Sequence, residues 1–71
     1  MWRVQINADQ PLRGNSGTVT VELGVLPVPG DTLIVGDGNA QWRVAERTII
    51  VHDAAHSKKE YVDAVLRVTR I

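Results

Sequence analysis

The residues best suited to hold a metal ion are His52-Asp53-Ala54-Ala55-His56, two imidazoles and a carboxylate close together in sequence. Histidines four apart converge on one ion when a helix carries them on a single face. Here the flanking pattern ends a strand at His52 and places His56 in the following turn. His52, Asp53 and His56 are therefore expected at a solvated hairpin tip, with metal ligation as the lesser alternative. Adding Ser57 to make a Ser-His-Asp set meets a stronger objection, because adjacent residues cannot aim at one another as nucleophile, base and orienter must. Arg13-Gly14-Asn15-Ser16-Gly17 offers backbone amides to a phosphate, yet a phosphate loop needs a helix after its glycines, and Thr18 opens a strand. That loop is expected to be a mobile turn, still able to touch a partner.

The remaining constellation is basic. Arg3, Arg43 and Arg67, with Arg70 as a further candidate, alternate with apolar residues on strands expected to be neighbours, which places them on the outer face of a sheet. With Lys58, Lys59 and Tyr61 nearby, such a stripe could follow a nucleic-acid backbone while the aromatic ring stacks on a base. Glu22, Glu46, Glu60 and Asp63 share the exposed parity, however, and cross-strand ion pairs are the ordinary reason for that arrangement. Eight basic and eight acidic residues cancel over the chain, so no whole-molecule field draws in phosphate or anionic lipid. A protein partner is expected ahead of nucleic acid. The contact residues assigned to either are Arg3, Arg43, Arg67, Lys58, Lys59 and Tyr61.

The elements that must position these groups are strands. Trp2, Val4 and Ile6 alternate with Arg3, Gln5 and Asn7, the period of a strand with one wet face. Ala8 to Gly17 is rich in turn formers. From Thr18 a second strand puts Val19, Val21, Leu23 and Val25 on one face, with Gly24 a candidate bend. Pro27 and Pro29 lack ladder donors, so the chain turns a corner at Pro27-Val28-Pro29-Gly30-Asp31 before a short strand at Thr32 to Val35. Gly36-Asp37-Gly38-Asn39 suits a tight hairpin. A fourth strand follows from about Ala40, and its apolar parity switches across Glu46-Arg47-Thr48, which predicts a bulge. Val62, Ala64, Leu66 and Val68 predict a fifth strand. The alternative is an α+β fold with a helix at about 53–64, capped by Asp53.

Five short strands separated by turn clusters predict an all-β fold, a small and partly open barrel spanning residues 1–71 as one domain. Pro29-Gly30-Asp31-Thr32-Leu33, the Gly-Asp-Gly turn, Trp42-Arg43-Val44 and the terminal β pair resemble small SH3-like barrel proteins of bacteria and phages that lack an assigned role. The resemblance covers about the second half of the chain and implies an SH3-like barrel of mobile-element origin. It does not bring polyproline binding with it, since the chain has no Phe and only Trp2, Trp42 and Tyr61 as aromatics.

A chain of 71 residues lies near the lower limit for a core without staples, and there is no cysteine to supply disulfides or thiolate ligands. Self-association is one remedy. Val65 and Ile71 oppose the buried parity of the last strand, and Ile50 opposes Ile49 and Val51, so the C-terminal strands have a second apolar face for another copy to cover. Trp2 and Trp42 are expected in the core; exposure of either would mark a subunit contact. No apolar run is long enough to cross a bilayer, and no secretory leader pattern opens the chain. These readings converge on a cytoplasmic, noncatalytic interaction module without a cofactor.

Overall fold

Alternation translates directly into the sheet. The computed structural model describes residues 1–12, 14, 16–35, 40–51 and 61–71. Its strands are β1 (Trp2–Ala8), β2 (Thr18–Leu23), β3 (Thr32–Ile34), β4 (Gln41–Ile49) and β5 (Ala64–Arg70). They form one sheet in the order β2-β1-β5-β4-β3, curled into a half-barrel of the small, open SH3-like kind. All neighbours are antiparallel except β1 and β5, which run parallel. No helix occurs among the described residues. The helix alternative at 53–64 is therefore excluded at its end: Tyr61 to Asp63 is irregular and Ala64 already lies in β5, as the β-branched run to Thr69 favours. Residues 53–60 lie outside the described residues, as does the Gly36–Asn39 hairpin turn.

The inner face carries the core: Val4 and Ile6 from β1, Trp42 and Val44 from β4, Ala64, Leu66 and Val68 from β5. Val19, Val21 and Leu23 of β2 and Leu33 of β3 pack against it, half-buried. The eighth residue of this buried apolar cluster is Leu12, from the loop between β1 and β2. The Leu12 N–H donates to the Ser16 carbonyl at 2.7 Å and the Ala8 N–H to the Gly17 carbonyl at 2.8 Å, which folds the loop back over the core. These two bonds tie its described residues to one another and to the end of β1. A single leucine among turn formers has no periodicity to announce it.

The proline corner is a two-sided clamp. Pro29 and Gly30 occupy the central positions of a type II turn, with Gly30 at φ +97° and the Asp31 N–H donating to the Val28 carbonyl at 3.0 Å. The Asp31 carboxylate accepts the Val28 N–H at 2.9 Å. The turn is stitched to β4, because the Gly30 N–H donates to the Val44 carbonyl at 2.8 Å and the Val44 N–H to the Asp31 carbonyl at 2.9 Å.

The expected bulge in β4 is present, with the register shifting between Val44 and Glu46, slightly earlier than the parity switch suggested. Ala45 is the extra residue. The shift turns Glu46 to the outer face and returns Arg47 and Ile49 to the inner parity, opposite Leu66 and Ala64.

Candidate functional site

Cross-strand register assigns every outer-face neighbour. Arg3 on β1 stands opposite Glu22 on β2. Arg67 on β5 lies between Asn7 on β1 and Glu46 on β4. Arg43 on β4 lies between Thr69 on β5 and Thr32 on β3. The three arginines expected on the outer face therefore do occupy it, along a diagonal. Asp63 is bonded to Arg3 and marks its level, so Arg67 sits four residues further along β5 and the Arg43 level six, roughly 13 and 20 Å at the rise of a strand.

Acidic residues interrupt this diagonal. The Arg67 guanidinium is 2.6 Å from the Glu46 carboxylate, with both side chains about 60% exposed. An exposed pair of this kind contributes at most about 1 kcal/mol to stability, yet it neutralises the middle of the stripe. The bulge at Ala45 creates the pair, since an unbroken alternation would have turned Glu46 inward. Arg70 departs from the expected stripe. It lies on the inner parity opposite Trp42, with its guanidinium 5.6 Å from the Trp42 ring centroid, a cation–π contact.

Tyr61 is half-exposed and precedes β5 at the Arg3 end of the sheet. Lys58, Lys59 and the cluster of His52, Asp53 and His56 lie outside the described residues. Among the described residues no group of His, Cys, Asp or Glu gathers as a metal ion requires, and no helix is long and apolar enough to cross a membrane. An open depression of about 270 Å³ lies where β1 and β5 end, lined by Asn7, Ala8, Asp9, Arg67, Val68 and Thr69.

Two polar residues do work that alternation alone did not reveal. Asp63, counted by parity among the surface acids, accepts the Arg3 N–H on its carboxylate at 2.9 Å, while its own N–H donates to the Arg3 carbonyl at 2.7 Å. Its carbonyl accepts the Ile50 N–H at 2.9 Å, so Asp63 pins β1 and β4 at the entry to β5. Ser16 acts at the free side of β2. Its hydroxyl accepts the Thr18 N–H at 3.2 Å and donates to the Thr18 carbonyl at 2.8 Å, a local side-chain bond whose signal is the Ser-x-Thr step into a strand.

Both edges of the central strand β5 are taken, by β1 and β4. Contact between copies through β5 is left with its outer face, where Val65 is half-buried and the following Ile71 is exposed. Among the described residues, the strand edges without a neighbour belong instead to β2 and β3. Trp42 is buried as expected, whereas Trp2 is 37% exposed on the inner parity opposite Leu23. Compared with known proteins, the chain matches no family model, no curated sequence and no solved structure.

Proposed function

We propose that this chain is a noncatalytic interaction and assembly module of the cytoplasm, one that self-associates and holds a protein partner. The observation that carries this reading is the open half-barrel: a five-stranded sheet whose two outermost strands each pair on one side only among the described residues. Exposed strand edges template further pairing, and folded proteins that do not use them generally block them. The small core argues the same way, since a cluster of eight buried apolar side chains among the described residues leaves the inner faces of β2 and β3 only half covered. Sedimentation at micromolar concentration is expected to show a species heavier than the 7.8 kDa chain. A monomer throughout would overturn the assembly reading.

Nucleic acid is the less favoured partner. Arg67 is neutralised by Glu46, and Arg3 stands beside Glu22. Phosphate contacts by free arginines produce affinity that falls steeply with salt. A mobility-shift series with single- and double-stranded DNA is expected to show no retained complex even at low salt. A salt-sensitive complex weakened by Arg43→Ala would favour the nucleic-acid reading instead.

A further inference from the structure

The direction of each backbone group on β2 follows from bonds already described. The Ala8 N–H donates to the Gly17 carbonyl, and the Arg3 carbonyl is engaged by Asp63 on the β5 side. Even-numbered residues of β1 therefore bond to β2 and odd-numbered ones to β5. In an antiparallel pair, opposed residues either exchange both bonds or neither. Val19, Val21 and Leu23, opposite Ile6, Val4 and Trp2, thus spend their backbone groups on β1. Thr18, Thr20 and Glu22 point theirs to the open edge. Ser16 occupies those of Thr18. The edge is closed at one end and offers Thr20 and Glu22.

We propose that a second copy of this chain docks on that edge, antiparallel about a two-fold axis through Val21. This rests on the assembly reading and names its surface. With the axis at Val21, each copy's Thr20 N–H donates to the second copy's Glu22 carbonyl, and each Glu22 N–H donates to the second copy's Thr20 carbonyl. No other residue of the edge is required, and the groups capped by Ser16 stay capped. The side chains agree with the same register. On the inner face Val21 meets its own equivalent, and Val19 meets the second copy's Leu23, so half-buried apolar residues cover one another. Partly exposed Trp2, one strand behind Leu23, extends that apolar face. On the outer face Glu22 falls opposite Thr20, away from the second copy's Glu22, and stays beside its own Arg3. The three-residue edge of β3 offers fewer paired positions.

Two short strands meeting edge to edge bury less than the roughly 1,200 Å² of standard stable interfaces, so dissociation in the micromolar range is expected. Thr20→Pro is the first test. Proline removes an amide that the isolated chain leaves facing solvent, a strand position where it is tolerated. Losing one donor per copy should weaken the dimer about 30-fold in sedimentation while the circular dichroism spectrum is retained.

Val21→Cys guards against a Thr20→Pro chain that fails to fold. The axis makes Val21 a non-bonded antiparallel pair with its equivalent, at about 4.5 Å between Cα atoms, within disulfide reach. The otherwise cysteine-free chain should therefore form a covalent dimer on mild oxidation, whereas Val19→Cys should not. A dimer that ignores Thr20→Pro, or cross-links equally through Val19→Cys, overturns the β2 interface and leaves the assembly reading intact. Species larger than a dimer that persist in both variants overturn it likewise, and a wild-type monomer overturns both.

Discussion

Trp42→Ala is expected to leave the chain largely unfolded at room temperature, with loss of the sheet's far-ultraviolet dichroism and of the sharp transition in urea. Trp42 is among the largest fully buried side chains, at 1% exposure, and it joins β4 to β3 through Leu33 and to β5 through Arg70. Truncating a buried tryptophan to alanine costs about 3–5 kcal/mol. A domain of this length has about 4–10 kcal/mol in total, and a core of eight buried apolar side chains among the described residues places it toward the lower end. Trp42→Phe separates the volume of the ring from its polar atom. The indole N–H is buried and meets no acceptor among the described residues, a burden of about 1–3 kcal/mol that phenylalanine removes. Phenylalanine should therefore be far milder than alanine, retaining a cooperative unfolding transition. If the two variants were equally disruptive, the N–H would have to be bonded in solution.

The legible parts of this fold were those governed by period. Trp2 to Asn7, Thr18 to Leu23 and, Val65 aside, Ala64 to Thr69 alternate because one face packs and the other is wet, and the structure pairs all three as strands. The bulge was also visible, because a change of apolar parity has few other causes within a strand. What alternation could not reveal was which strand lies beside which. The parallel pairing of β1 with β5 brings together residues some sixty positions apart, and together with the β4–β5 pairing it makes β5 central and leaves β2 at an edge. The surface we propose for association is accordingly the backbone of the second strand, where parity alone had pointed to the apolar residues of the last. The arginines show the same division. Parity assigned Arg3, Arg43 and Arg67 to the outer face, but the pairing of Arg67 with Glu46 depended on strand order and on a one-residue shift. Leu12, Ser16 and Asp63 act through single contacts, which leave no periodic trace.

Gly30→Val should destabilise the domain by about 2–3 kcal/mol, although the added Cβ itself meets open space. A Cβ at Gly30 would have no heavy atom within 4 Å, so no clash opposes it. The cost is conformational. At φ +97° the backbone lies where a β-branched residue is strained by about 1–3 kcal/mol, and any relaxation must disturb neighbouring bonds. The Gly30 N–H is held by the Val44 carbonyl, the Val44 N–H by the Asp31 carbonyl, and the Val28 N–H by the Asp31 carboxylate. Turning Gly30 to negative φ swings these groups apart and frees the start of β3 from β4. Gly24→Ala is the matched control, since Gly24 has an equally open environment without a positive φ. It should be neutral or slightly stabilising, because alanine restricts the unfolded chain more than glycine does. Urea unfolding of the two variants measures the difference directly. Equal stabilities would mean that the corner gives way without cost, and that the proline pair, not the left-handed glycine, makes the chain double back.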